Sequence, residues 1–210
     1  MNYTLMMLLS SSILLPAVVG IVKVRCNTSI YPLVLCFWLG LSHTFLAVLL
    51  PSHTINASSN LYIVCEFLLI LYQIHLWGAG FRRKPLLIIF FVGILLWSYT
   101  TFFYFEFNER NGIFRIFYSL LIVFCSIDVI NKLAFERIRL IGNWRFMIAL
   151  GFIFFFSYNI IFETFWVSKS LFTDQFLEKI FSIKAYINLS INILYFIALL
   201  CIPAKKKFYC

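Results

Sequence analysis

Six polar residues inside long apolar runs are the side chains of this sequence that could do chemistry. They are His43, Glu66, Asn159, Glu163, Asn188 and Asn192. A carboxylate accepts hydrogen bonds and binds cations, an imidazole can donate or accept a proton, and an amide both donates and accepts. Together these residue types predict a ligand-binding site. The sequence predicts no catalytic set, no metal site and no cofactor beside it.

The composition places these residues in a membrane. The chain has 210 residues, of which 63% are hydrophobic and 12% charged, with a mean hydropathy of +0.97. Soluble domains are roughly 45–50% apolar and about 25% charged. The sequence therefore predicts an integral membrane protein with no separate soluble domain.

Seven apolar stretches are long enough to cross a bilayer, since a spanning helix needs about 20 residues for a core of about 30 Å. They predict an all-α membrane protein, a seven-transmembrane-helix bundle that forms a single transmembrane domain over 1–210. The predicted helices cover 3–22, 31–50, 61–80, 86–105, 114–131, 146–166 and 184–202. The first is expected to remain as an anchor, because positive residues follow its apolar run instead of preceding it.

The 17 Lys and Arg residues predict the orientation of the bundle. Seven spans place on the C-terminal side Lys23, Arg25, Arg82, Arg83, Lys84, Lys132, Arg137, Arg139, Arg145, Lys205, Lys206 and Lys207. The opposite side holds only Arg110, Arg115, Lys169, Lys179 and Lys184. The positive-inside rule then puts the C-terminus in the cytoplasm and the N-terminus outside a plasma membrane.

The basic inner loops predict two kinds of partner. They can meet anionic headgroups of the lipid bilayer, and they can contact a membrane or cytoplasmic signalling protein. Nucleic acid is not expected as a partner, because loops this short cannot build a basic surface interleaved with aromatic residues.

Two further features concern the first predicted span and the connection before the last one. Pro16 lies inside the first predicted span and predicts a kink there. The outer connection 167–183 has apolar residues spaced for a short amphipathic helix. That helix can lie on the membrane as a lid, or it can extend the last span outward, and the pattern fits both.

Depth and helical spacing group the polar residues. Glu66 lies about 7 Å below the outer end of its helix and Glu163 about 5 Å below the outer end of its own. Three helices each carry one polar stripe, namely Tyr62, Glu66 and Gln73; Asn159 and Glu163; and Lys184, Asn188, Asn192 and Tyr195. Stripes that faced lipid would lack partners, so all three are expected to turn inward.

The inward stripes have two interpretations, and the sequence leaves both open. The side chains can form a polar pocket that opens to the outside. They can instead satisfy one another as interhelical hydrogen bonds, with Lys184 neutralising Glu163 or Glu66. Placement at the membrane interface without either role is a third interpretation.

Familiar membrane chemistries do not fit the pattern. A retinal protein needs a lysine near the middle of its last helix, where this chain reads "NLSINILYF". His43 and His75 lie at different depths and cannot share a haem. No metalloprotease, serine-hydrolase or phosphate-loop motif is present. His43 with Glu66 remains an acid–base pair that an intramembrane enzyme could use.

Two stretches resemble a known group of proteins. They are "NLYIVCEFLLILYQ" and "WRFMIALGFIFFFSYNIIFETF", the latter followed by a helix of the "INLSINILYF" kind. They are similar to a loose group of small bacterial seven-helix membrane proteins. The resemblance implies a membrane input module beside a sensor kinase, and it singles out Glu66, Asn159 and Asn192.

The sequence therefore predicts a multi-pass membrane sensor or signalling partner with an outward-facing polar pocket. A small transporter or channel is the first alternative, although the inner halves of the last two helices are almost wholly apolar. A structural subunit of a membrane complex is the second alternative.

Overall fold

The computed structural model of the chain describes residues 9, 11–78, 83–104, 107, 109–136 and 140–203. All regular structure within these residues is helical, which confirms the all-α prediction. The α-helices described are α1 (Leu14–Val24), α2 (Tyr31–Leu49), α3 (Ser52–Leu76), α4 (Arg83–Tyr99), α5 (Gly112–Phe135), α6 (Trp144–Val167) and α7 (Asp174–Leu200). A π-helical turn, Thr100–Tyr104, extends α4, and 3-10 turns at Ser11–Ile13 and Thr28–Ile30 precede α1 and α2.

Six of the described helices, α2 to α7, are long and apolar enough to cross a membrane, with mean hydropathies from 1.4 to 2.2. The apolar segment Ser11–Val24, which contains α1, is shorter. The first predicted helix began at 3, and residues 3–8 and 10 lie outside the described part. The chain is thus a multi-pass helical membrane protein with six candidate spans and a shorter apolar helix near its N-terminus.

Two helices begin earlier than their apolar runs predict. α3 begins at Ser52 instead of 61, and α7 begins at Asp174 instead of 184. Hydropathy locates the part of a helix that fits in lipid, whereas Pro51 and Thr173 mark where the backbone turns into the helix; the Thr173 hydroxyl accepts from Phe176 N at 3.4 Å. Residues 174–183 of the predicted amphipathic connection are therefore the first part of the last helix, and a 3-10 turn, Lys169–Leu171, precedes them.

Pro16 lies in the first turn of α1, directly after the 3-10 turn Ser11–Ile13. An N–H is not needed for helix hydrogen bonding at that position. Leu9, before this turn, is helical as well. Because residues 1–8 and 10 lie outside the described part, the kink at Pro16 stays a prediction.

The helices form a ring. α1, α2, α3, α5, α6 and α7 contact one another in that order, and α7 closes the ring on α1. α4 packs outside the ring, against α3 and α5. In a bilayer this packing rests on close van der Waals contact and interhelical hydrogen bonds, because lipid tails are as apolar as the helices.

Different lysines lie at the two ends of the ring. At one end, here called the basic end, Lys23 Nζ donates to the carbonyls of Leu200 and Ile202 at 3.2 and 3.0 Å, and Lys132 donates to the carbonyl of Gly78. These contacts join the end of α1 to the end of α7, and α5 to the end of α3. The opposite end, where α7 carries Lys184, is called the Lys184 end.

An aromatic cluster fixes α3, α5 and α6 against one another. The rings of Phe67 and Phe114 are 5.7 Å apart, and Tyr118 lies 5.6 Å from both Phe114 and Phe156. All four side chains are fully buried. The cluster therefore holds the Tyr118 hydroxyl at a fixed position beside α3.

Candidate functional site

A cavity of about 240 Å³ lies inside the ring of helices. Its walls come from α2, α3, α5, α6 and α7, and from Ile13 in the turn before α1. Five of the six residues predicted as a site line it, namely His43, Glu66, Asn159, Asn188 and Asn192. Lys184 lines it as well. Their common location is a finding, whereas their role as ligand-binding residues stays a prediction.

Glu66 is held by two tyrosines. Tyr62, one turn earlier on α3, donates its hydroxyl to Oε1 at 2.7 Å, and Tyr118 donates to Oε2 at 2.8 Å. Among the described residues, no Lys or Arg nitrogen lies within 4.0 Å of this carboxyl group. A carboxylate has about four acceptor positions, so Glu66 keeps acceptor capacity toward the cavity.

His43 lies beside Tyr62 on the α2 wall. The two rings stack with centroids 4.7 Å apart and planes inclined by 24°. The Nε2 atom of His43 is buried and has no hydrogen-bond partner among the described residues. Gly40, one turn before His43, lets Ile13 approach this wall closely, because a Cβ there would lie 2.8 Å from Ile13 Cδ1 and would push that side chain aside.

Lys184 joins α7 to α6 at the Lys184 end of the cavity. Its Nζ atom donates to Asn159 Oδ1 at 3.1 Å and lies 4.0 Å from the centroid of the Phe162 ring. Asn159 in turn donates to Ser119 Oγ at 3.0 Å. Both polar atoms of Asn159 are therefore engaged in bonds between helices, and Lys184 retains donors for another group.

Glu163 is the predicted site residue that does not line the cavity. It is fully buried, and Arg110 binds it through Nε to Oε2 at 3.1 Å and through Nη2 to Oε1. The predicted neutralising residue, Lys184, lies 4.0 Å from Oε1. Arginine binds both carboxylate oxygens at once, so Arg110 is the main partner of Glu163.

The two asparagines of α7 have different surroundings. Asn192 donates to Ser12 Oγ at 2.8 Å and so ties α7 to the turn before α1. Asn188, one turn closer to Lys184, contributes its amide to the cavity wall.

Several functional groups escaped the sequence analysis. Arg110 and Arg115 were counted only as positive charges on the side opposite the C-terminus, yet Arg115 is only 6% exposed and donates to Ser59 Oγ at 2.6 Å. Asn111 caps α5 by accepting from Phe114 N at 3.0 Å, which puts Arg115 in the first turn. The sequence "RNG" before an apolar run is a signal for the Asn111 cap. The spacing of four residues between Tyr62 and Glu66 is a signal for their hydrogen bond.

The comparisons with known proteins identify no family. A scan against models of protein families found no match, and searches of curated proteins and of solved structures found no similar chain. Within the described residues, no three His, Cys, Asp or Glu side chains come together as metal ligands. The fold and the site define a multi-pass helical membrane protein with a polar cavity inside the bundle.

Proposed function

We propose that this protein is a sensor of a bacterial inner membrane that binds a small ligand from the outer face. The observation that carries the proposal is one cavity that Glu66 and Lys184 share with His43, Asn159, Asn188 and Asn192. Polar groups inside a membrane are costly and mark functional sites by default. A ligand site requires such polar groups to converge on one cavity.

The orientation follows from charge. The positive-inside rule favours the basic end in the cytoplasm, so the Lys184 end faces out. In that orientation the polar residues His43, Glu66 and Lys184 lie on the outer side of the cavity, which extends inward as far as Leu33. A soluble ligand then reaches it without crossing the membrane.

The structure below the cavity supports a sensor over a transporter or channel. Between the cavity and the basic end, Ile74, Ile148, Ala198 and Leu199 are at most 1% exposed. Trp77 packs edge-on against Trp144 with centroids 5.7 Å apart. A permeation path needs polar groups or water through this region, and close apolar packing closes it.

The signal is proposed to leave through the basic end. Arg25 and Arg145 belong to that end, and the sequence places further Arg and Lys residues in the same loops. Such a surface suits an acidic partner or anionic lipid. The resemblance to small bacterial seven-helix proteins favours a sensor kinase as that partner. A structural subunit would need no cavity, which is why this alternative ranks lower.

Sided thiol labelling tests the proposal. Single cysteines are introduced in a cysteine-free version of the chain at Asn188 in the cavity, at Arg25 on the basic end and at Ile193, which is 42% exposed on the outside of the ring. A membrane-impermeant thiol reagent is then added to right-side-out and inverted vesicles.

We expect Asn188→Cys to react only in right-side-out vesicles and Arg25→Cys only in inverted ones. Ile193→Cys, facing lipid, is expected to react in neither. Reaction of Asn188→Cys from both faces would favour transport over sensing. No reaction from either face would mean that the polar residues only hold the helices together.

A further inference from the structure

The cavity wall changes character along the bundle. Near the Lys184 end it is polar, with His43, Glu66 and Lys184. Toward the basic end it is aromatic: the Tyr195 ring lies 5.4 Å from Phe37 and 5.7 Å from Phe152. From Lys184 to Tyr195 the wall follows α7 for about 16 Å. A ligand that fits has a polar head and an apolar body.

The polar part of the wall offers two opposite charges. Glu66 is bound by neutral hydroxyl donors, and no described Lys or Arg nitrogen lies within 4.0 Å of it. Lys184 reaches Asn159, and its nearest carboxylate oxygen, on Glu163, is 4.0 Å away and already bound by Arg110. Neither cavity charge is therefore neutralised by the other through a direct ion pair.

A ligand with only one charge fits this wall poorly. A simple amine would pair with Glu66 but would be repelled by Lys184. A simple carboxylate would pair with Lys184 but would be repelled by Glu66. A zwitterion satisfies both, with its ammonium at Glu66 and its carboxylate at Lys184. The unpartnered Nε2 of His43 offers one more polar contact for the head group.

We propose that the cavity binds a free amino acid with an aromatic or large apolar side chain; this inference rests on the proposed function of the cavity as a ligand site. The side chain packs on Phe37, Phe152 and Tyr195, and the zwitterion lies between Glu66 and Lys184. The size agrees, because a dry protein cavity of about 150 Å³ holds benzene and this one has about 240 Å³.

Three compounds with one shared ring test the charges. Calorimetric titration of the purified full chain in detergent uses L-phenylalanine, 2-phenylethylamine, which lacks the carboxylate, and 3-phenylpropionate, which lacks the ammonium. We expect L-phenylalanine to bind, and each of the other two to bind about 10-fold to 100-fold more weakly, since each loses a charged hydrogen-bonding group.

Two variants assign the contacts. Glu66→Gln is expected to remove the preference for L-phenylalanine over 3-phenylpropionate, and Lys184→Met to remove its preference over 2-phenylethylamine. Lys179→Met, an exposed change on the same helix, is the matched control and keeps both preferences. Melting curves of each variant report whether it folds, and the comparison of compounds on the unchanged chain does not depend on any variant.

The possible results separate this inference from the proposed function. Equal affinity for the three compounds, binding of only a singly charged one, or binding of none overturns the amino-acid proposal. None of these results affects the sided labelling of the cavity. Failure of that labelling would instead remove the ligand site itself.

Discussion

Tyr118 of α5 donates a hydrogen bond to Glu66 of α3, with 2.8 Å between the two oxygen atoms. Because Tyr118 is locked in the aromatic cluster of the core, its hydroxyl position is set by packing and not by the acid. Tyr62 supplies the second hydroxyl from within α3. The acid is thus held in place before any ligand arrives, which is the arrangement that precise recognition needs.

Tyr118→Phe is expected to lower the free energy of unfolding by about 1–3 kcal/mol, because a buried carboxylate oxygen loses its donor while the ring packing is kept. Unfolding in mixed detergent micelles measures this loss. Tyr186→Phe, at a tyrosine 52% exposed on α7, is the control and should change little. An equal cost for the two substitutions would mean that the Tyr118–Glu66 bond does not stabilise the bundle.

Arg110→Ala is expected to cost about 3 kcal/mol, because it leaves the fully buried Glu163 without its main partner. Breaking a buried ion pair costs about 3–5 kcal/mol. We take the lower value because the Arg110 side chain is 23% exposed. The exposed pair of Lys132 and Glu136, 4.0 Å apart, provides the control. Glu136→Ala should cost at most about 1 kcal/mol, and similar losses for both would contradict a special role for Arg110.

Asn60→Asp is expected to loosen the connection between α4 and α5. The Asn60 amide donates to the carbonyls of Phe107 and Glu109 at 3.0 and 2.7 Å, and its Oδ1 accepts from Asn111 N at 3.2 Å. Aspartate keeps the acceptor but replaces the donating NH2 group with one oxygen, which repels both carbonyls, at a cost of about 2 kcal/mol.

Hydrogen exchange of the backbone amides of residues 109–113 measures this loosening. Asn56→Asp, one turn away on α3, serves as the control for adding a negative charge to the same helix. Exchange that is unchanged in Asn60→Asp, or raised equally in both variants, would show that Asn60 does not hold this connection.

Hydropathy predicts the helices of this protein well but not their starts or arrangement. The bounds of α2, α5 and α6 agree with their apolar runs within about a helical turn. The first turns of α3 and α7 extend beyond the apolar runs, where hydropathy carries no signal. Hydropathy also does not predict that α4 lies outside the ring, because a helix that faces lipid and one that faces other helices are equally apolar.

Part of the candidate site could be predicted because polar residues in a membrane avoid lipid. Polar stripes in lipid must turn inward, so Asn188, Asn192 and Glu66 were expected on an inner wall, and they line the cavity. Glu163 was expected there too, but Arg110 binds it from a segment that counts as loop in the sequence. Side-chain partners that come from distant segments depend on tertiary packing and leave no local pattern.

The tyrosines illustrate the same limit. An excess of aromatic residues in a membrane protein fits interfacial belts and lipid-facing packing, and nothing local distinguishes Tyr118 from such residues. Only the ring contacts with Phe114 and Phe156 place its hydroxyl on Glu66. The spacing of Tyr62 to Glu66 did carry information, because residues four apart share a helix face.

The central claim is that the polar residues around the cavity form a site and do not simply hold the helices together. The melting temperatures of Asn159→Leu and Asn188→Leu in the same detergent test it most directly. Asn159 bonds both Ser119 and Lys184, whereas Asn188 presents its amide to the cavity. We predict that Asn159→Leu lowers the melting temperature, by the loss of about 0.6–2 kcal/mol per interhelical hydrogen bond. Asn188→Leu is predicted to leave it unchanged or to raise it, as happens when a polar binding group is replaced. An equal fall in both variants would contradict the account.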